Sequence, residues 1–156
     1  MIFSHIKNKK ISMVDISEKS VTKRSAKAKC YVIFKKPSFQ KVIEKGSPKG
    51  EIFNTARCAG ILAAKKTSEL IPLSHNINLS NIEIEFIIND ANYSIEIYST
   101  VTTSDKTGVE IEALIACSIS AITIYDMCKS IDKSITVENL KLLSKTGGKS
   151  GDYKND

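Results

Sequence analysis

Two runs of alternating apolar and polar residues in the middle of the chain constrain the fold more than any other feature. The positions that share one face are Ile82, Ile84, Phe86 and Ile88 in the first run and Tyr93, Ile95, Ile97, Ser99 and Val101 in the second. A repeat of two residues is typical of a β-strand with one buried face. Residues 89–92, Asn-Asp-Ala-Asn, favour a tight turn between the runs. The pattern therefore predicts an antiparallel β-hairpin.

The segments on either side of the hairpin predict helices and two more strands. In chain order the predicted elements are a strand over 26–34, a helix that begins at Pro37 and ends before Gly46, a helix over 51–70, the hairpin, a helix over 109–128 and a strand over 135–143. This order is the split βαβ arrangement of an α+β, ferredoxin-like sandwich. We expect a four-stranded antiparallel sheet with helices on one face.

The chain length of 156 residues suits a single domain over 1–156, because a second core would leave too little buried surface for either. Residues 1–24 show no steady period and are rich in Lys and Ser, which predicts an extended N-terminal arm. Residues 145–156 predict a Gly- and Lys-rich tail outside the core.

Charge and cysteine usage limit the kind of partner and compartment. The formal charge of +6 comes mainly from lysine and favours an anionic partner. Cys30, Cys58, Cys117 and Cys128 form no C-x-x-C pair, which predicts buried reduced thiols in a reducing compartment and no metal site. The N-terminus lacks the pattern of a signal peptide, and nowhere do about 18 apolar residues run together. We therefore expect a cytoplasmic protein without a membrane segment.

Two candidate functional groups precede and follow the predicted second helix. Lys49 and Gly50 stand at its start, where free N–H groups and the positive dipole end form an anion site that a lysine strengthens. The structural alternative is that Gly50 shapes a turn and Lys49 is solvated. His75 lies in the loop after Pro72, where it is either a polar loop residue or a group that shuttles a proton.

The predicted third helix carries carboxylates near both ends. Thr107 and Glu110 fit a T-x-x-E capping box, which is a sufficient structural account of Glu110. Glu112 faces elsewhere on the helix, so only a substrate or a subunit would join it to Glu110. Asp126 and Lys129 are neighbours at i, i+3. On an open surface they form a modest ion pair, and in a cleft each shifts the proton affinity of the other.

The tripeptide Gly148-Lys149-Ser150 resembles part of a P-loop, but the full motif needs a glycine where Leu143 stands and a helix afterwards. A P-loop is therefore excluded, and a Gly-rich arm that folds over a polyphosphate is the remaining interpretation. Taken together, lysines, a histidine and carboxylates suit a phosphorylated substrate that undergoes proton transfers.

Six segments in order resemble the successive signatures of cyclic pyranopterin monophosphate synthases. They are Met13-Val14-Asp15-Ile16-Ser17, Lys49-Gly50-Glu51-Ile52-Phe53-Asn54-Thr55-Ala56-Arg57, Leu70-Ile71-Pro72-Leu73-Ser74-His75, Lys106-Thr107-Gly108-Val109-Glu110-Ile111-Glu112-Ala113-Leu114, Thr123-Ile124-Tyr125-Asp126-Met127-Cys128-Lys129 and Gly147-Gly148-Lys149-Ser150-Gly151-Asp152. The resemblance implies a phosphorus–oxygen lyase of molybdenum cofactor (molybdopterin) biosynthesis. It would convert 3′,8-cyclo-7,8-dihydroguanosine triphosphate, supplied by a radical SAM GTP cyclase, to cyclic pyranopterin monophosphate and diphosphate, without a redox cofactor.

The same resemblance implies roles for particular residues. Asp126 would be the catalytic acid/base, and Lys49 and Lys129 would be catalytic lysines that hold or protonate the substrate. The residues that would bind the substrate or lie close to it are Arg24, Leu73, Ser74, His75, Glu110, Ile111, Glu112 and Lys145. The protein would be a homohexamer, a trimer of dimers, with sites between subunits. The chain departs from the common pattern of the family at Ser74, Asn76 and Ile111, where Cys, Pro and Met are usual.

Two other functions compete with this one. A basic ferredoxin-like sheet with Tyr31, Tyr93 and Tyr98 is similar to an RNA-stacking platform, although the aromatic RNA-binding signature is missing, so we expect no nucleic-acid partner. The other alternative is a phosphate-binding regulatory subunit without catalysis, against which Lys49, Asp126 and Lys129 argue.

Overall fold

The computed structural model describes residues 6–7, 10–148 and 151–155. The elements are β1 (Ile6–Lys7), β2 (Lys10–Ile11), β3 (Thr22–Ile33), α1 (Lys36–Lys45), α2 (Ile52–Lys65), α3 (Thr67–Leu70), β4 (Leu79–Asn89), β5 (Ser94–Asp105), α4 (Glu110–Cys128), β6 (Thr136–Thr146) and β7 (Tyr153–Lys154). The fold is α+β, as predicted, and the hairpin is confirmed as β4 and β5, which pair from Leu79 with Thr103 to Asn89 with Ser94.

The main sheet has five strands in the order β4-β5-β3-β6-β7, and all neighbouring strands are antiparallel. The prediction of four strands is therefore wrong. The fifth strand comes from the predicted tail, where Tyr153 and Lys154 pair with Lys145 and Ser144 of β6. A segment of two residues is too short to show the alternation by which a strand is recognised in sequence. Tyr153 and Lys154 form a strand because the free edge of β6 offers them backbone hydrogen bonds.

Helices α2 and α4 pack together on one face of the sheet. The core between these layers holds alternate residues of β3, namely Ala26, Ala28, Cys30 and Val32, together with the inner sides of both helices. The helices come unusually close at Gly60, because a Cβ there would lie 2.3 Å from the Ser120 hydroxyl and 2.7 Å from the Ala116 carbonyl oxygen. This close packing fixes the position of α2 relative to α4.

Several boundaries differ from the predicted ones. The predicted helix over 51–70 is interrupted at Lys66, where Thr67 begins the short helix α3 with its hydroxyl bonded to the Ala64 carbonyl. Strand β3 begins at Thr22, inside the predicted arm, and β6 continues to Thr146, inside the predicted tail. Pairing of Thr22 with Asp105 explains the first extension, because a partner strand supplies hydrogen bonds that side-chain alternation does not reveal.

The opposite face of the sheet carries polar and aromatic side chains, as predicted. The ammonium group of Lys27 lies 5.0 Å from the centre of the Tyr98 ring. The Tyr98 hydroxyl donates to Glu96 at 2.8 Å, and this bond, with burial, raises the pKa of Tyr98 to about 12. This face is a hydrogen-bonded surface rather than a second core.

Three of the four cysteines, Cys30, Cys117 and Cys128, are buried free thiols, as predicted, whereas Cys58 is free but exposed. Helix α4 is long and apolar enough to cross a membrane by length and composition alone, with a mean hydropathy of 1.6. Half of that stretch is buried and α4 contacts α2, β3, β5 and β6, so packing inside the protein accounts for much of its apolar composition.

Candidate active site

Lys49, Asp126 and Lys129 meet at the C-terminal end of α4. The two Asp126 carboxylate oxygens accept one lysine each, Lys49 at 2.6 Å and Lys129 at 2.7 Å. All three side chains are about half exposed, so the cluster faces solvent. The sequence predicted the Asp126 and Lys129 pair from spacing alone, and the structure adds Lys49 from a segment 77 residues away.

A short turn before α2 places Lys49 in this cluster. The Ser47 hydroxyl donates to the Met127 carbonyl at 2.6 Å, which ties the turn to α4. The same oxygen accepts the Lys49 backbone N–H at 3.0 Å, and Gly50 follows with a φ of 110°, a conformation that glycine adopts most readily. Glu51 then caps α2 by accepting the N–H groups of Phe53 and Asn54. The predicted anion site at the start of α2 is thus capped by a carboxylate, and Lys49 points instead to Asp126.

The contacts among these three residues separate their proton affinities. Hydrogen bonds from Lys129 and then Lys49 lower the pKa of the Asp126 carboxyl to about 2. The bond to Asp126 in turn raises the pKa of Lys129. At neutral pH the resting cluster therefore holds one carboxylate between cations, an arrangement that accepts a proton only when a lysine moves away or is neutralised.

A cationic cavity of about 520 Å³ lies near the other end of α4. Its lining residues are Lys19, Ser20, Thr22, Arg24, Ser25, Lys106, Thr107, Gly108, Glu110, Lys145, Thr146, Gly147 and Gly148. Lys145 and Glu110 form an ion pair at 2.8 Å across it. The predicted residues Arg24, Glu110 and Lys145 are therefore brought together. Lys149 and Ser150 lie outside the described residues.

A second cavity of about 480 Å³ adjoins the cationic cavity, because Lys19, Thr107, Gly108 and Glu110 line both. Its other lining residues are Val14, Ile16, Leu73, Ser74, His75, Ile77, Ile111 and Glu112. This cavity is more apolar and contains every remaining predicted substrate-binding residue. The His75 ring is held by a 2.8 Å hydrogen bond between its Nε2 and the Val14 carbonyl oxygen.

One prediction about the start of α4 needs correction. The N-cap of α4 is Val109 and no side chain caps it, so the capping box of Thr107 and Glu110 is wrong. The Glu110 carboxylate is held by Lys145 instead. Glu110 and Glu112 both line the second cavity, so a ligand bound there would lie beside both carboxylates.

Glu112 is the most buried charged residue of the site, with 3% of its surface exposed. Burial raises the pKa of its carboxyl to about 7, the nearby charge of Glu110 adds to the shift, and a backbone hydrogen bond opposes it. Near neutral pH this carboxyl is therefore partly protonated and available as a proton donor.

The predicted site residues thus form two groups rather than one. Asp126 lies sixteen residues beyond Glu110 on α4, which is about 24 Å along the helix axis at 1.5 Å per residue. That separation exceeds the reach of a ligand of nucleotide size. Within one chain, the cluster of Lys49, Asp126 and Lys129 and the two cavities are half-sites that one such molecule does not bridge.

Sequence reasoning missed Lys19 and Lys106, both of which line the cationic cavity. Lys19 belongs to a segment without a regular period, and Lys106 was quoted only as the first residue of one of the six family-like segments, without a role. Among the described residues, no group of three or more His, Cys, Asp or Glu side chains is placed to hold a metal ion.

The RNA-platform alternative is weakened by the position of Tyr93. Its ring packs edge-on against Phe39 at 5.9 Å, next to the turn of the hairpin, where its backbone φ is 50°. Tyr31 and Tyr98 do lie on the open face, but each is engaged by a lysine. Three tyrosines therefore do not form one stacking surface.

An α+β sandwich that combines an acid–base cluster with a cationic cavity and an adjoining, more apolar cavity is typical of an enzyme that acts on a small anionic molecule. The chain belongs to the MoaC family, whose sequence model matches residues 13–148.

Curated relatives agree over most of the chain. It is 47% identical over 146 residues to a protein of Bordetella avium, covering 94% of this chain and 90% of that relative. It is 46% identical over 144 residues to one of Chloroflexus aggregans, with 92% and 87% coverage, and 44% identical over 156 residues to one of Staphylococcus carnosus, with 99% and 97% coverage. Each of these relatives is named cyclic pyranopterin monophosphate synthase.

Proposed function

We propose that this protein is a cyclic pyranopterin monophosphate synthase, a lyase that acts on 3′,8-cyclo-7,8-dihydroguanosine 5′-triphosphate in molybdenum cofactor biosynthesis. In the proposed reaction the α-phosphorus forms a new bond to a substrate hydroxyl and loses its bond to the diphosphate, which departs. The observation that carries the proposal is the direct contact of Asp126 with Lys49 and Lys129, three residues that family resemblance had singled out in two distant segments.

The proposed roles follow from the charges at the two half-sites. Asp126 and the two lysines form the catalytic acid/base cluster, in which cations stabilise negative charge that develops on phosphate oxygens. Leu73, Ser74, His75 and Ile111 line the cavity proposed for the ring system. Arg24, Glu110 and Lys145 line the cationic cavity beside it.

The separated pKa values of two carboxyls support proton transfer as the chemistry. Asp126, with a pKa of about 2, is ionised at neutral pH, whereas Glu112, with a pKa of about 7, still holds a proton in part of the molecules. Paired titratable groups whose environments push their pKa values apart are typical of acid–base catalysis. We assign Glu112 as a proton donor to the ring and Asp126 as the acceptor.

Assembly of identical subunits is part of the proposal, because the half-sites of one chain are about 24 Å apart along α4. The outward side of α4 also supports assembly. Ile111 is 41% exposed and Ile122 is 53% exposed, and Ile115 and Ser118 lie between them at helical spacing. Antiparallel contact of this stripe with the same stripe of a second copy would bring the Asp126 end of one chain to the Glu110 end of the other.

The finer predictions from the resemblance are proposed with it. They are a single domain over 1–156 with a ferredoxin-like topology, a homohexamer built as a trimer of dimers, a cytoplasmic location and a preceding radical SAM GTP cyclase. The order β4-β5-β3-β6 of the four long strands supports the ferredoxin-like topology, with β7 as an addition at the edge. No redox cofactor is needed for ring rearrangement, phosphate cyclisation and loss of diphosphate.

The test is turnover by the purified full chain. Given the cyclised dihydro-GTP, it should release diphosphate and form cyclic pyranopterin monophosphate. Asp126→Asn should lower kcat by about 10²–10⁴-fold, the usual contribution of a positioned acid or base. Lys65→Ala, an exposed position at the end of α2, is the matched control and should keep full activity. Absence of product from the wild-type protein, or full activity in Asp126→Asn, would contradict the proposal.

A further inference from the structure

We propose that Ser47 is a positioning residue, whose hydroxyl holds the turn that brings Lys49 to the Asp126 carboxylate. Ser47 acts through Lys49 and does not touch the substrate itself. This inference rests on the proposed function for its kinetic consequence alone, because the contact that Ser47 supports exists in the resting protein. Neither the sequence pattern nor the family resemblance gave Ser47 a role.

The local sequence determines the shape of the turn over residues 47–50. Its residues are Ser-Pro-Lys-Gly, and the Gly50 N–H donates to the Ser47 carbonyl at 3.1 Å. Serine in the first position, proline in the second and glycine in the fourth are favoured in type I turns. These preferences explain how the chain reverses at this point. They do not explain where the turn lies relative to α4, which requires contacts with that helix.

Packing contributes little to the position of the turn. Gly46 and Gly50 stand on either side of Ser47, Pro48 and Lys49, and a Cβ at either glycine would meet no other atom within 4 Å. Pro48 and Lys49 are exposed. Two side-chain hydrogen bonds among the described residues join the turn to α4. The Ser47 hydroxyl donates to a backbone carbonyl at 2.6 Å, and the Lys49 ammonium group donates to the carboxylate at 2.6 Å.

The backbone acceptor is the Met127 carbonyl in the last turn of α4. The last four carbonyls of a helix lack partners within the helix and need donors from elsewhere. The N–H groups of Ile131 and Asp132 both donate to the Cys128 carbonyl, at 2.8 Å and 3.2 Å, so the chain after the helix satisfies that neighbouring group. The Ser47 hydroxyl supplies the donor for Met127. The turn is thereby tied to the residue that directly follows the catalytic carboxylate in sequence.

The same hydroxyl also fixes the backbone from which the Lys49 side chain extends. Its oxygen accepts the Lys49 N–H at 3.0 Å while its hydrogen is donated to Met127. This matters because a lysine side chain is long and flexible, and an exposed ion pair forms readily only when its two ends are already close. Lys129 does not depend on Ser47, since it lies on α4 itself, three residues after Asp126. Loss of the Ser47 hydroxyl should therefore release one lysine and leave the other.

The release of one lysine changes the proton affinity of Asp126 in a direction that can be stated. Hydrogen bonds from Lys129, the larger cause, and from Lys49 lower the pKa of the Asp126 carboxyl to about 2. Without the Lys49 bond the pKa should rise, and the remaining Lys129 bond should keep it below the ordinary value of 3.8. We expect Ser47→Ala to raise the pKa of Asp126 by about 0.5 to 1.

The experiment is carbon NMR of the whole chain labelled at aspartate carboxyls, titrated with acid over the range in which the protein stays folded, with Asp126→Asn to identify the signal. Asp126 should gain its proton at higher pH in Ser47→Ala than in the wild type. Ser47→Thr, which keeps the hydroxyl, should titrate like the wild type. Ser134→Ala removes an exposed hydroxyl that donates to Asp132 at 2.6 Å, and as the matched control it should leave Asp126 unchanged. An unchanged Asp126 titration in Ser47→Ala, or failure of that variant to fold, would overturn the inference.

A double variant tests whether Ser47 acts through Lys49. In Lys49→Ala the hydrogen bond to Asp126 is already missing, so the pKa of Asp126 should already be raised. Adding Ser47→Ala to that chain should raise the pKa no further, because two changes that remove one contact are not additive. A further rise in the double variant would mean that Ser47 has a general structural role, which contradicts the inference.

Turnover separates this inference from the proposed function. With the cyclised dihydro-GTP, Ser47→Ala should lower kcat about tenfold through misplacement of Lys49, and Ser47→Thr should restore it. KM should change less than about twofold, because the lysine stabilises charge that develops in the transition state. Normal kcat in Ser47→Ala would refute the positioning role and leave the proposed function intact. A raised pKa of Asp126 in Ser47→Ala, with no product from the wild type, would support the positioning of Lys49 and contradict the proposed function.

Discussion

The buried carboxyl of Glu112 makes stability depend on pH in a direction that can be calculated. Burial raises the pKa of this group from an ordinary value of 4.5 to about 7. Between these two values the folded protein keeps a proton that the unfolded chain has released. The free energy of unfolding therefore falls as the pH rises from about 4.5 to about 7, and it stays lowered above that range. A shift of this size corresponds to about 3 kcal/mol at most, at 1.36 kcal/mol per pKa unit.

The assay compares wild type with Glu112→Gln by urea denaturation between pH 4.5 and 8, at one protein concentration because subunit assembly adds to stability. Glutamine has nearly the same shape and does not ionise. The stability of the variant relative to wild type should therefore increase with pH, by about 3 kcal/mol over the range. Glu44→Gln, at an exposed position of α1, should show a constant difference from wild type.

The difference between variants is decisive because His75, Lys19 and Glu110 line the same cavity and also carry or gain charge. Titrations that are independent of Glu112 are present in both proteins and cancel in the comparison, whereas the coupling of Glu112 to the Glu110 charge is part of the measured difference. Parallel stability curves for wild type and Glu112→Gln would refute the conclusion that burial dominates the proton affinity of Glu112. They would also remove the reason for assigning it as a proton donor.

Two other predictions concern packing and assembly. Gly60→Ala would place a methyl group 2.3 Å from the Ser120 hydroxyl, so it should lower the free energy of unfolding, measured in urea, by about 1–3 kcal/mol. Leu62→Ala, on the exposed side of α2, should change the free energy of unfolding by less than about 0.5 kcal/mol. Equal effects of the two substitutions would contradict the close packing of α2 on α4. Co-expression of Asp126→Asn with Lys145→Ala chains should restore about a quarter of wild-type activity, because half of random dimers are mixed and each has one intact site. Two inactive variants that stay inactive together would indicate sites within single chains.

Local pattern was sufficient for the elements that bury one face. The hairpin alternates over its whole length, and Pro37 and Gly46 mark the ends of α1, so these elements were predicted close to their observed bounds. The break at Lys66 and the edge strand at Tyr153 were not predicted, since both depend on contacts with other segments. Contacts between distant segments decide where such elements begin and end, and a stretch of a few residues in the sequence does not reveal those contacts.

The site was predictable where its residues are close in sequence and not where they come together only in space. Asp126 and Lys129 lie three residues apart on one helix, and spacing alone suggested their contact. The capping box failed because Thr107 and Glu110 matched a local motif while Lys145, 35 residues later, supplied a stronger partner for Glu110. Lys19 and Lys106 were missed for the same reason, since a cationic cavity has no signature in sequence order.

Helix α4 connects the fold to the proposed chemistry. Its inner side packs on the sheet, its first turn carries Glu110 and Glu112, and its last turn carries Asp126. A carboxyl that is partly protonated near neutral pH and a carboxylate that is fully ionised therefore stand at opposite ends of one helix. In one chain they are too far apart to act on one molecule. A two-fold axis near the middle of α4 would bring Asp126 of one chain close to Glu110 and Glu112 of a second copy, and the reverse. The length of this one helix would then set the geometry of two identical sites.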